Sequence, residues 1–194
     1  MAEVLLFHHV QGLTDGIRAF ASDLQSGGHT LHVPDLFDGH TFESIDDGFA
    51  YLRALDGEEI DRRVDAAVFG LPAGLVYAGF SWGVPRAQRL TQTRPGARAA
   101  LLYESCIPIT GEDAFGPWPA GVPVQVHGAQ GDEFFQEDLP AAKVLVQTLG
   151  PDLAELFTYD GEQHLFVDRS LPSYDPEAAR LLTQRSLDFL ERLG

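Results

Sequence analysis

The chain has 194 residues, 44% hydrophobic and 22% charged, which allows one well-buried core and leaves little room for a second domain. Its 29 acidic residues against 13 basic ones give a net charge of −16, a field that repels phosphate backbones and argues against nucleic-acid binding. The lone cysteine, Cys106, excludes an internal disulfide and a zinc cluster of several thiols, and no apolar run approaches the ~18–20 residues of a membrane span.

Met1-Ala2-Glu3 carries no basic segment and leads into Val4–Phe7, a strand-like run too short for a signal peptide. The expectation is a cytoplasmic protein. Asp15 to Leu24 reads as a helix, with Ile17, Phe20, Ala21 and Leu24 at helical spacing and Gly27-Gly28 as its stop. His29 to Val33 is a strand closed by Pro34. Helical segments follow at 45–55 and 61–69. Leu75 to Ala78 is a buried strand, and a helix reaches Thr93. Ala99 to Tyr103 and Val122 to His127 are strands. Leu139 to Leu149 is a helix, Leu156 to Tyr159 a strand, and Pro176 to Leu193 a long helix with proline at its start. Strands alternating with helices predict a single α/β domain over 1–194, its mostly parallel sheet flanked by helices on both faces. The Gly/Pro-rich segment 111–121 is the main loop excursion. Its aromatics, Phe115 and Trp118, are candidates for a substrate pocket.

Chemistry concentrates after three strands. Gly79-Phe80-Ser81-Trp82-Gly83 matches G-x-S-x-G between a strand and a helix, the pattern of a nucleophile on a tight turn. A side chain at either glycine would collide with the facing chain, so glycine permits the turn. The turn lifts the Ser81 hydroxyl and aims the Trp82 N–H at the space before it. A serine hydroxyl needs a base, usually a histidine oriented by a carboxylate. In this order of elements the acid comes next and the histidine last. Asp132 lies in a glycine-rich loop after the strand ending at His127, and His164 in the loop after the strand ending at Tyr159. His8 and His9 are adjacent on a strand, so they point to opposite faces and do not converge on one metal ion. No metal or cofactor is called for.

This pattern resembles the dienelactone hydrolase family of α/β-hydrolases. The resemblance covers nearly the whole chain and includes Gln11-Gly12-Leu13, the run from Pro34 to Phe42, the elbow, His127 to Asp132 with Phe134, and Tyr159 to His164 with Phe166. It implies Ser81 as nucleophile, His164 as base and Asp132 as orienting acid. It also implies an oxyanion hole from the N–H groups of Trp82 and Val10. Three positions differ from well-known members: Ser81 stands in place of cysteine, His9 in place of a glutamate, and Asp168 in place of a carboxylate-binding arginine. His9 is therefore expected at the site floor, and Asp168 to disfavour anionic substrates. The expected activity is hydrolysis of a small, neutral ester or lactone through an acyl-serine. The alternatives are a catalytically silent binding or regulatory protein of the same fold, and an acyltransferase.

Overall fold

Every strand pairing in the sheet is parallel. The computed structural model describes residues 1–194. In chain order the elements are β1 (Glu3–Phe7), α1 (Asp15–Ser26), β2 (Thr30–His32), α2 (Ile45–Ala54), α3 (Glu59–Val68), β3 (Val76–Phe80), α4 (Val84–Thr93), β4 (Ala99–Tyr103), β5 (Val124–Ala129), α5 (Glu133–Leu149), β6 (Ala154–Tyr159) and α6 (Pro176–Arg192). The six strands lie in the order β2-β1-β3-β4-β5-β6. The chain starts inside the sheet, steps outward to β2, then returns past β1 and runs to the opposite edge. The direction of winding reverses between β1 and β3. A crevice opens at the carboxyl ends of strands where such a reversal occurs.

Both faces of the sheet are covered, so its central strands are apolar on both sides rather than alternating with polar residues. Val4, Leu6, Val76, Ala78, Phe80, Leu101 and Tyr103 pack under α1 and α6, against Ile17, Phe20, Leu24, Leu182 and Leu190. Leu5, Phe7, Tyr77, Leu102 and Val126 face the other way, against residues of α3, α4 and α5 including Val64, Val84, Leu90, Phe135 and Leu145. The period-two alternation of each strand thus sorts one sequence into two cores. Thr14, Ser44, Asp132 and Asp175 cap α1, α2, α5 and α6 with side-chain oxygens.

Boundaries differ from the sequence reading in two informative places. β3 runs on to Phe80, so the strand leads directly into Ser81. α5 begins at Glu133 rather than Leu139 and continues through Pro140. The Asp132 carboxylate accepts the Phe134 N–H and starts the helix early. No helix is long and apolar enough to cross a membrane.

Candidate active site

Ser81 stands between β3 and α4 with φ of 46°, in the left-handed region that non-glycine residues rarely occupy. The flanking glycines have the role their spacing predicts. A Cβ on Gly79 would lie 2.5 Å from the Gly83 carbonyl oxygen, and a Cβ on Gly83 would lie 2.6 Å from the carbonyl oxygens of Phe7 and His8. The second contact also seats the elbow on the end of β1. Val10 is the third residue after that strand end, and Trp82 is the first residue beyond the serine.

Asp132 and His164 arrive on loops that are tied to each other. The Gln130 N–H donates to the Tyr159 carbonyl and the Gly131 N–H to the Gly161 carbonyl, each at 2.8 Å. The imidazole of His164 bridges the two sides. Its Nε2 lies 2.7 Å from Ser81 Oγ and its Nδ1 lies 2.6 Å from Asp132 Oδ2. With Nδ1–H donating to the carboxylate, Nε2 is left to accept the serine O–H. Asp132 is wholly buried, held between the imidazole and the Phe134 N–H. Burial pushes His164 down. The hydrogen bond to Asp132 and the negative charges of Glu104, Asp132 and Asp138 outweigh it, leaving the imidazole more basic than usual. The Phe134 ring sits 4.8 Å from that of His164 and is half exposed. Together with Gln11, Glu43, Asp46 and Leu171 it lines a cleft of about 500 Å³ beside His164.

His9 lies at the floor of the site as a hydrogen-bonding residue and not as a substrate contact. It is fully buried beneath the site and does not line the cleft. Its Nδ1 accepts the Gln11 N–H and its Nε2 lies 2.9 Å from Asp168 Oδ2. This fixes the tautomer, with Nε2–H as the donor. Burial lowers the pKa of His9 and outweighs the attraction of Asp168. Burial raises Asp168, but its hydrogen bonds with His9, Ser170 and Thr14 more than reverse this, and it stays ionised. A neutral histidine therefore donates to a buried carboxylate. Asp168 has every reason to be acidic here, and none of them concerns substrate. His8 points the other way, taking the Leu36 N–H on Nε2 and donating Nδ1–H to the His9 carbonyl.

Trp118 and Phe115 are not at the site either. The Trp118 indole donates to the Val122 carbonyl, just before β5 begins, and is buried in the α3/α4/α5 core. The Gly116 carbonyl, next to Phe115, is held by Gln92 near the end of α4. Both anchors lie at the amino ends of the parallel strands, while the site lies at their carboxyl ends. Trp118 packs in the core, and neither aromatic lines the cleft beside His164. One charged residue at the site escaped the sequence reading. Glu104 follows β4 immediately, in the same relation to its strand as Ser81 has to β3. It is buried beside His164 and Asp132. Its position after a strand was a visible signal; its burial was not.

The dienelactone hydrolase family model matches residues 1–194. A comparison with curated proteins finds no match. Among solved structures, the chain is similar to a protein assigned as a dienelactone hydrolase from Klebsiella pneumoniae subsp. pneumoniae. They share 20% identity at a TM-score of 0.73, over 99% of this chain and 87% of that one. A dienelactone hydrolase-like promiscuous phosphotriesterase from metagenomic libraries has 17% identity and a TM-score of 0.73, over 100% and 87%. The dienelactone hydrolase of Anabaena variabilis has 16% identity and a TM-score of 0.68, over 99% and 86%. At these identities the likeness is one of fold.

Proposed function

The chain belongs to the dienelactone hydrolase family, and we propose that it acts as one catalytic domain, a serine hydrolase that cleaves a small neutral ester or lactone. The observation that carries this reading is the continuous hydrogen-bond path Ser81–His164–Asp132 at 2.7 and 2.6 Å. Such a path is what a hydroxyl needs to become a nucleophile near neutral pH.

In the proposed reaction, Ser81 Oγ attacks the carbonyl carbon as its proton passes to His164 Nε2. Asp132 holds the imidazole in the tautomer that can receive this proton and stabilises the resulting imidazolium. The N–H groups of Trp82 and Val10 face the developing oxyanion, where preorganised donors have their largest effect. His164 then protonates the leaving alkoxide, and the acyl-serine forms. Water, deprotonated by the same imidazole, releases the acid and restores Ser81. The cleft beside His164 has Glu43 and Asp46 in its lining and no lysine or arginine. Those charges and the net −16 support neutral over anionic substrates.

The test is a panel of p-nitrophenyl esters and lactones of graded size and charge, given to the wild type and to Ser81→Ala. Turnover of neutral members that is lost in the variant supports the proposal. No turnover of any member by the wild type, or equal turnover by the variant, would contradict it.

A further inference from the structure

Ser81 follows β3, Asp132 follows β5 and His164 follows β6. Between β3 and β5 lies β4, whose loop opens with Glu104. Neighbouring strands are about 4.8 Å apart, so the loop carrying His164 reaches back roughly 14 Å from β6 to Ser81. That return passes over β4.

Glu104 meets it there. Its side chain is buried, and its backbone is left-handed at φ of 60°. Its Oε1 accepts the N–H of Phe166, two residues after His164, at 3.1 Å. Its own N–H donates to the His127 carbonyl at 2.6 Å, which fastens it to β5 as well. Leu165, between His164 and Phe166, is also left-handed, at φ of 61°. Two non-glycine residues in this region, joined through one carboxyl, persist only where the surroundings hold them. Glu104 Oε2 has no hydrogen-bond partner. A buried carboxyl with one free oxygen is costly to keep, and such groups cluster at functional sites. Burial pushes Glu104 up to about 7, against the pull of His164 and with the push of Asp132. His164 in turn faces Glu104, Asp132, Asp138 and His9.

We propose that Glu104 is a positioning residue for His164, holding the turn after the imidazole through the Phe166 N–H and adding a second negative charge beside Asp132 when the imidazolium forms. The proposal rests on the serine-hydrolase reading above. No proton passes to Glu104. Ser81 gives its proton to His164, and the Glu104 carboxylate stabilises the resulting charge at pH values above its own ionisation.

The experiment measures the rate of covalent labelling by a fluorophosphonate against pH, for the wild type, Glu104→Gln, Glu104→Ala, Ser81→Ala and His164→Ala. Glu104→Gln keeps an acceptor for the Phe166 N–H and loses the charge. Its acid limb should move to lower pH and its plateau fall by about threefold to tenfold. Glu104→Ala loses both and should fall by roughly 10²-fold. Should Glu104→Ala fail to fold, the shift of the limb in Glu104→Gln decides alone. A wild-type limb in Glu104→Gln overturns the proposal, whether or not its rate or thermal stability falls, provided Ser81→Ala is unlabelled. Labelling that survives in both Ser81→Ala and His164→Ala overturns the serine-hydrolase reading itself, and Glu104 with it.

Discussion

At Ser81 the backbone is held at φ of 46°, a conformation that costs of order 1–3 kcal/mol and persists only under constraint. The constraint is steric and local. Gly83→Ala would set a Cβ against two backbone carbonyls of the β1 end, which cannot swing aside as side chains can. It should lower stability by about 1–3 kcal/mol or more in a urea titration, and labelling of Ser81 should fall with it. Ser81→Ala removes no contact that holds the fold, so it should keep the wild-type melting temperature while lowering kcat by roughly 10³-fold or more. Asp168 is the instructive contrast. In sequence it reads as a carboxylate placed to repel anionic substrates; in the fold it is committed to His9, Thr14 and Ser170. Asp168→Ala leaves those donors unpaired and should cost about 2–4 kcal/mol of stability. The kcat/KM ratio between neutral and anionic esters should stay at its wild-type value. A changed ratio with unchanged stability would restore the contact with substrate.

Elements carry the site by where they end. The pattern around Ser81, Asp132 and His164 was legible because each follows a strand, and strands announce themselves by short apolar runs. The start of α5 was not legible, because Pro140 and the acidic residues before it look like a loop. What overrides them is Asp132, which caps the helix through Oδ1 and holds His164 through Oδ2. The core position of Trp118, a pocket candidate in the sequence, was not legible for a different reason. Sequence shows that a loop is aromatic, but not which end of the parallel sheet it lies against. Caps allow the two jobs of Asp132 to be separated. The Asp175 side chain caps α6 by accepting the N–H groups of Glu177 and Ala178 and bonds to no residue of the triad; only its backbone N–H, on the Phe166 carbonyl, touches the segment after His164. Asp175→Ala should cost about 1 kcal/mol in chemical denaturation and leave kcat alone. Asp132→Ala should cost at least as much and also lower kcat by about 10³-fold, since the imidazole loses its orienting partner.

For the whole molecule, pH dependence follows from which groups are buried uncharged. Burial holds His8 down at about 4 and His127 at about 3. Both sit below the unfolded value near 6.5, so the unfolded chain binds their protons first as pH falls. Their contribution is complete above about pH 6.5 and is lost on acidification through about pH 4 for His8 and about pH 3 for His127. Glu104 has the opposite sign. Raised to about 7, it contributes stability at low pH that is lost as pH climbs from about 4.5 through 7. Three buried neutral histidines, His8, His9 and His127, outweigh Glu104 and the raised His164, so stability should fall steadily between about pH 6.5 and 4.5 in urea titrations. His127→Gln should flatten that slope; an unchanged slope would mean that His127 is not buried uncharged. The net charge of −16 acts at longer range. The preference for neutral over anionic esters should be strongest at low salt and shrink as salt screens the field beyond roughly 10 Å. Faster turnover of the anionic ester at low salt would contradict it.

In the proposed reaction Ser81 is activated by His164 and becomes acylated. The most direct measurement is mass spectrometry of the peptides after fluorophosphonate treatment, because it needs no knowledge of the natural substrate. A single adduct is expected on Ser81 in the wild type and none at that residue in Ser81→Ala. His164→Ala should label at a small fraction of the wild-type rate. An adduct on another residue, or an unlabelled wild-type protein, would contradict it.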